Sequence, residues 1–371
     1  MSTEAAQVLS SSTAADAPQR ERPVAPPVRR WLYAIWFAIL LMVAIGGITR
    51  LTESGLSIVQ WKPLSGAIPP LNDADWRELF AQYKATPQFR LANHWMELAD
   101  FKRIFFWEYV HRLWGRLLGV IVAVPFLYFL VRGKLPKRVS RQALGLFALG
   151  GLQGALGWYM VASGLVEQPR VSHLRLAAHL LLAFVTGALT LWFALDATAP
   201  RDSARRSRPL HVRLVWGLIA LVLVQVVYGA FMAGTRAGYY YGTFPDMNGS
   251  YGPAPFFSAA WLADAFNSPM AIHWLHRFLG WLTFGYAAFV WAFLQRVEPR
   301  LSVRRSAALL AAVVFVQFNL GALTVVHRVR LELAVAHQVM AYVLLSCAVL
   351  LLHRLCGSRA GLASAEPDAG T

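Results

Sequence analysis

Eight apolar stretches, near 31–48, 107–131, 142–163, 174–196, 211–233, 270–295, 306–326 and 332–353, dominate the sequence. Each is about 18–26 residues long, and at about 1.5 Å of rise per residue each reaches across a hydrocarbon core of roughly 30 Å. A segment in lipid must satisfy its own backbone hydrogen bonds, so these segments are expected to be helices. Composition agrees. Of 371 residues, 57% are hydrophobic and only 15% charged, against about 25% charged in a water-soluble domain. The fold class is therefore all-α integral membrane, and a soluble enzyme, a secreted disulfide scaffold and a disordered chain are excluded.

The formal net charge of +16 reads as topology and implies no nucleic-acid partner. An even number of spans puts both termini on one side, and that side carries 20 of the 35 Lys and Arg against 12 on the other. The remaining three, Arg112, Arg116 and Arg277, lie within spans. By the positive-inside rule both termini are cytoplasmic in a bacterial inner membrane, with the matrix side of a mitochondrial inner membrane as the alternative. Segment 1–30 is rich in Ser, Ala and Pro and reads as a disordered cytoplasmic tail, and 355–371 as a second tail. The acidic Glu4, Asp16 and Glu21 argue against a transit peptide. Cys347 and Cys356 fall on the reducing side, so no disulfide or CxxC site is expected.

The chain repeats itself. Span 2 contains Glu108-Tyr109-Val110-His111-Arg112-Leu113-Trp114-Gly115, and span 6 contains His273-Trp274-Leu275-His276-Arg277-Phe278-Leu279-Gly280. Spans 4 and 8 carry Ala177-Ala178-His179 and Val335-Ala336-His337, and a Gln-x-x-x-Gly step recurs at Gln153/Gly157, Gln225/Gly229 and Gln317/Gly321. Thr49-Arg50 and Thr235-Arg236 end the first span of each half. The expected organisation is two parallel four-helix-bundle repeats, 31–196 with a long outer loop at 49–106 and 211–354, joined by a basic cytoplasmic linker at 197–210. The recurring glycines are expected to let spans pack closely.

His111, His179, His276 and His337 each sit about five residues past the outer end of a span, roughly 8 Å along the axis. Four imidazoles at one depth, two per repeat, fit a metal or haem held between facing helices. A single intramembrane His is as readily a hydrogen-bonding group; the matched set is not. His273 and His327 have no counterpart and read as interfacial or supporting groups, while His94, His173, His211 and His353 read as solvated or interfacial. A haem also brings propionates, which need cationic partners. Arg50, Arg112, Arg236 and Arg277 are candidates, with interfacial anchoring as the alternative.

One position breaks the symmetry. Glu108 lies one turn before His111, where the second half has His273. Desolvation is expected to raise the pKa of such a carboxylate, suiting it to proton transfer or to stabilising a developing cation; the alternative is an interfacial Glu paired with Arg112. The asymmetry points to chemistry in the first half and an electron-transfer haem in the second. Amphipathic pieces near 73–84 and 95–106 suggest a lid on the membrane surface over the first site. Aromatic residues of the second outer loop, among them Tyr241, Phe244 and Phe256, are candidates to wall the second. Pattern alone leaves three readings open: an electron-transfer cytochrome, a haem-modifying enzyme and a transporter.

The chain also resembles the haem A synthase family of proteobacteria and mitochondria. The likeness is carried by Gly46-Gly47-Ile48-Thr49-Arg50-Leu51-Thr52-Glu53-Ser54-Gly55-Leu56-Ser57 with Trp61-Lys62-Pro63, by Phe101-Lys102-Arg103-Ile104-Phe105 and Glu108-Tyr109-Val110-His111-Arg112, and by Arg175-Leu176-Ala177-Ala178-His179-Leu180. Thr243-Phe244-Pro245, His276-Arg277 and His337-Gln338 extend it, in order, over about 31–354. The resemblance implies conversion of haem O to haem A by successive hydroxylations of the porphyrin C8 methyl, giving haem A for cytochrome oxidase. It implies heme b as cofactor on His276 and His337, and it places the substrate haem between His111 and His179, with Glu108 as the catalytic carboxylate. The propionate argument would then put Arg236 and Arg277 beside heme b and Arg50 and Arg112 beside the substrate haem. Implied partners are haem O, a haem O synthase, an electron acceptor and the lipid bilayer, with a homo-oligomer left open. Some bacterial relatives have a cysteine pair in the first outer loop; this loop has none, so no thiol acts there.

Overall fold

The computed structural model describes residues 24–62, 65–166, 169–198 and 207–357. Eight helices long and apolar enough to cross a membrane account for most of them: α1 (Pro26–Leu51), α2 (Leu98–Val131), α3 (Lys137–Ala162), α4 (His173–Thr198), α5 (Pro209–Thr235), α6 (Pro269–Val297), α7 (Leu301–Val326) and α8 (Leu331–Cys356). The chain is thus a multi-pass membrane protein, all-α among the described residues. Most of the expected tails at 1–30 and 355–371 and most of the linker at 197–210 lie outside those residues.

Local sequence explains where the helices start and stop. Pro26 and Pro27 open α1, because proline lacks only an N–H that the first turn leaves unpaired anyway. Residues 26–30, expected in the tail, therefore belong to the helix. Ser268 caps α6 by accepting a hydrogen bond from Ala271 N, with Pro269 at the first helical position. The segment 95–106, expected to lie on the membrane surface, instead runs into the second span from Leu98. A reciprocal capping box between Glu97 and Asp100 fixes that start. Only the other amphipathic piece forms a separate helix, Asp73–Lys84, capped by Asn72.

The outward faces carry Phe37, Val131, Trp216 and Phe315, all exposed. Such surfaces suit lipid, which offers no penalty to apolar side chains and no partners to polar ones. In the first half α1 packs on α2 and α4, and α3 on α2 and α4; in the second, α5 packs on α6 and α8, and α7 on α6 and α8. Across the middle, α1 meets α8, α4 meets α5, and α4 meets α8. The largest core cluster lies chiefly along this seam, with Leu32, Ile35, Phe184, Val215, Leu218 and Tyr342 among its members. Tyr342 lies over Gly187, where a Cβ would collide with the phenol, and its hydroxyl donates to Trp36 O at 3.1 Å. Trp36 Nε1 reaches Ser346 Oγ at 3.2 Å, tying α1 to α8 a second time.

Odd spans run toward one end of the molecule and even spans return, so the loops 52–97 and 236–268 share an end opposite both termini. At this loop end, Phe80 and Tyr83 of the short helix stack on Phe101 in the first turns of α2, with ring centroids 5.2 and 5.3 Å apart. Asn93 Nδ2 donates to Tyr83 OH, Tyr83 OH to Gln88 Oε1, and Gln88 Nε2 to Glu53 O. The first loop is thereby fastened to the start of α2 and the end of α1.

Candidate functional site

The four histidines singled out in the sequence sit near the loop ends of α2, α4, α6 and α8. His179 is six residues into α4 from His173, His276 seven into α6 from Pro269, and His337 six into α8 from Leu331. His111 lies further along its helix only because α2 begins early, at Leu98.

Each imidazole is seated against a glycine of a neighbouring span. A Cβ on Gly46 would lie 3.1 Å from His111 Cε1, on Gly157 3.1 Å from His179 Cε1, on Gly229 3.5 Å from His276 Cε1, and on Gly321 2.9 Å from His337 Cε1. The glycines expected to let backbones approach therefore do something else: they clear room for the rings. Three were visible in the Gln-x-x-x-Gly steps. The fourth, Gly46, was missed because Met42 stands where the other three have Gln.

The rings of His276 and His337 face each other, centroids 6.3 Å apart and planes at 82°. An imidazole nitrogen binds a transition metal at about 2.0–2.1 Å, so this separation accommodates one metal between two ring nitrogens. His337 Nδ1 lies 3.2 Å from Gln317 O. A carbonyl only accepts, so Nδ1 carries the proton and Nε2 keeps its lone pair, the tautomer of a metal ligand whose second nitrogen is held by the protein. His276 Nδ1 and His111 Nδ1 are buried without a partner. Gln153 Nε2 lies 3.2–3.3 Å from the ring nitrogens of His179 and donates to His179 O at 3.0 Å. Among the described residues no three His, Cys, Asp or Glu converge on one point. A two-imidazole donor set is what a porphyrin-borne metal asks of a protein, since the macrocycle supplies the remaining ligands. The residues fit a haem in the second half.

Glu108 is 3% exposed. Its Oε2 accepts from Ser57 Oγ at 2.7 Å and from Ile58 N at 2.8 Å. Its Oε1 accepts from Arg112 Nε at 3.0 Å and Nη2 at 2.6 Å. The sequence reading gave desolvation the leading role at this carboxylate. The structure surrounds it with four donors and makes the pair with Arg112 that stood as the alternative. Arg112 also donates to Ile58 O and Gln60 O, so it clamps the first loop. Arg277 repeats this clamp in the second loop, on Tyr241 O, Thr243 O and Asp246 O. In place of the carboxylate, Arg277 Nε donates to His273 Nε2 at 3.0 Å. A nitrogen that accepts is unprotonated, so His273 is neutral.

Arg50 and Arg236 lie where the two halves meet. Arg50 Nη2 donates to Ala233 O at 2.6 Å and to Gly234 O, while its Nε is buried without a partner. Arg236, in the left-handed region at φ 57°, pairs with Glu53. Phe244 of the second loop stacks on Trp281 and meets Phe318 edge-on, and Tyr241 meets His273.

Two histidines expected to be solvated or interfacial are buried. At the terminal end His211 Nδ1 faces Glu298 Oε2 at 3.2 Å, and His353 Nε2 faces Asp196 Oδ1 at 3.0 Å. Arg138 completes the second cluster at 3.2 Å from Asp196, and Ser207 and Arg300 the first. Burial raises the Glu298 pKa, but hydrogen bonds from Arg300, Ser207 and His211 together outweigh it and hold the group at about 2. Sequence periodicity carries no signal for such clusters, whose members are far apart in the chain.

Eight spans with four glycine-seated histidines at one end define a polytopic helical membrane protein. A family model described as cytochrome oxidase assembly protein matches residues 29–349. The chain is 40% identical over 352 residues to a heme A synthase of Nitrosospira multiformis, covering 94% of this chain and 99% of that one. It is 43% identical to one of Sphingopyxis alaskensis, covering 94% and 96%, and 44% identical to one of Maricaulis maris, covering 85% and 92%. The chain belongs to the cytochrome oxidase assembly protein family that contains these enzymes.

Proposed function

We infer that the chain is a haem A synthase, a membrane oxidoreductase that converts haem O to haem A. Its substrate haem lies between His111 and His179 in the first of two parallel four-helix repeats. A resident haem b lies between His276 and His337 in the second. The observation that carries the division of labour is the exchange of Glu108 for His273 beneath otherwise matched arginine clamps.

The consequence is electrostatic. Glu108 and Arg112 balance each other, whereas Arg277 is paired with a neutral ring. The second site lacks that helix-borne carboxylate, and the anion acting on Arg277 is Asp246 of the loop. Oxidising a methyl group on a conjugated macrocycle develops positive charge on the substrate, and Glu108 is the nearby anion that stabilises it. Arg277 favours an electron's arrival at the second site, since potential follows net charge and burial. Bound there, haem b supplies one-electron redox chemistry. The protein's own work is placement: the glycine seats fix the imidazoles, and Arg112 and Arg277 hold a loop over each site. Arg50 and Arg236 stand at the loop end as partners for propionates, supported by the unpartnered Nε of Arg50. The Lys and Arg excess supports an inner-membrane orientation with both termini cytoplasmic. A haem O synthase as supplier, a separate electron acceptor and self-association belong to the same reading.

The test is chromatographic identification of haems extracted from protein made alongside a haem O supply. Wild type is expected to yield haem b with haem O, hydroxylated haem O or haem A. His276→Ala should lose haem b, His111→Ala should lose the tailed haems, and Glu108→Gln should retain haem O unconverted. Haem b alone from wild type would make the chain an electron-transfer cytochrome, and full conversion by Glu108→Gln would remove the carboxylate's role.

A further inference from the structure

The two halves differ below the histidines as well as above them. In the second half the cleft between α6 and α7 is plugged. Trp281 and Phe318 have ring centroids 4.5 Å apart, Phe284 and Phe318 5.0 Å, and Phe244 of the loop closes over them. Aligning His276 with His111 and Gln317 with Gln153 places Arg116 opposite Trp281, Gly119 opposite Phe284 and Gly154 opposite Phe318. Arg116 is drawn up to the loop, where its Nη2 donates to Lys62 O at 2.8 Å. A Cβ built on Gly119 or Gly154 meets nothing within 4 Å, and the same holds for Gly150, one turn below Gly154. Their counterparts in the second half touch, so by the alignment these exposed positions line the matching gap between α2 and α3.

The cleft leads to the histidines. Gly154 and Gly150 share a helix face with Gly157, the seat of His179, and Gly115 lies one turn below His111. Gln153, whose Oε1 is buried without a partner, precedes Gly154 at its upper end. At Gly115 the neighbour is the apolar Met42, whose Cε is 3.6 Å from a built Cβ; at the matching Gly280 it is the amide of Gln225, at 3.1 Å. Further down, Phe126 of α2 meets Phe147 of α3, centroids 5.6 Å apart, and bridges the two helices. From Gly115 to Phe126 is about 16 Å at 1.5 Å per residue, long enough for an extended isoprenoid chain.

We propose that this cleft is the subsite for the isoprenoid tail of haem O, opening sideways to the membrane so that the tailed haem enters and leaves in the bilayer plane. The inference rests on the first half being the substrate site and adds the element that distinguishes haem O from haem b, which has no tail. In the second half the same space is filled by aromatic rings, and a tailed haem is shut out. A lipid acyl chain is the other source of the same chemistry, and it separates from the substrate tail because it binds without regard to which haem is present.

The test compares haem O with protohaem, which has the same iron and propionates and no tail. Each is titrated into purified protein made without haem O and already holding haem b. Wild type is expected to bind haem O about tenfold or more tightly than protohaem. Gly154→Phe, which rebuilds the plug, should abolish that preference while leaving protohaem binding and the haem b content unchanged, an overpacking effect confined to the tail. Gly119→Leu repeats the test from the facing helix. His111→Ala checks the underlying reading separately, since loss of haem O binding there is required whatever the cleft does. Equal affinity of wild type for the two haems, or an unchanged haem O preference in both cleft variants, overturns the proposal.

Discussion

Substituting alanine for the glycine beneath each histidine should loosen that site in an order set by distance. The Cβ of Gly321→Ala would stand 2.9 Å from His337 Cε1, inside the 3.5–4.0 Å optimum for carbon pairs. His337 cannot simply swing aside, because its Nδ1 is held at 3.2 Å from Gln317 O. Overpacking of this kind costs about 1–3 kcal/mol, or about 5- to 150-fold in haem affinity. Gly229→Ala places its Cβ 3.5 Å from His276 Cε1, an ordinary contact, and should be nearly neutral. Both substitutions affect the same proposed haem b site, so each serves as a control for the other. Alanine is the better helix former by about 0.8–1.0 kcal/mol, so neither should weaken the haem-free fold. Haem b per polypeptide, read as the pyridine haemochrome after dilution to low haem concentration, should fall for Gly321→Ala and stay level for Gly229→Ala. Equal retention by the two would refute the assignment of these glycines as ring seats.

Two further outcomes follow from the polar contacts. The Glu298 pKa is lowered, so the group contributes stability that is present above its unfolded value near 4.5 and lost as pH falls toward about 2. Thermal unfolding of wild type should therefore steepen its acid-side decline over that window relative to Glu298→Gln, and parallel curves would argue against the cluster. Gln338 follows His337 directly, lies against Gly47 and donates to Val43 O at 2.8 Å across the seam between the halves. Gln338→Leu removes this bond from a carbonyl that keeps its own helical partner, a net cost of about 0.5–1.5 kcal/mol. Its melting temperature should drop while haem b content stays at the wild-type level; an unchanged melting temperature would remove Gln338 from the seam.

The span count, the histidine pairs and Glu108 were legible because each rests on a local or periodic pattern. Hydropathy over about 20 residues marks a span whatever surrounds it, and a repeated His-Arg-x-x-Gly marks equivalent places. What escaped depended on which residues meet in space. Asp196 and His353 are far apart in sequence, as are His211 and Glu298, and only the packing of α4 on α8 and of α5 on α6 brings them together. The recurring glycines were visible, yet their purpose was not, since a small residue looks the same whether it admits a helix or an imidazole. Segment 95–106 was misjudged for a related reason. Its charged residues suggested a surface helix, but a capped helix whose upper turns pack under Tyr83 and Phe80 continues straight into the span.

A resident cofactor and a substrate ask opposite things of the same four-helix frame. Three of the four histidines are joined to a neighbouring span at a glutamine, two of them through their backbone: the carbonyls of His179 and His276 each accept a side-chain amide at 3.0 Å, and His337 Nδ1 donates to the backbone carbonyl of Gln317 at 3.2 Å. At His111 the corresponding position is Met42, a flexible side chain with no donor to offer. That histidine alone has no glutamine beside it, and it lies on the helix that also carries Glu108 and Gly119. The departures from symmetry thus gather along α2 and the helices beside it, and each one removes a constraint or adds a negative charge. A haem held for the life of the protein gains from being locked in by amides and plugged by aromatic rings. A haem that must arrive, be oxidised and depart requires a site with one ligand free to move and one wall open to the membrane.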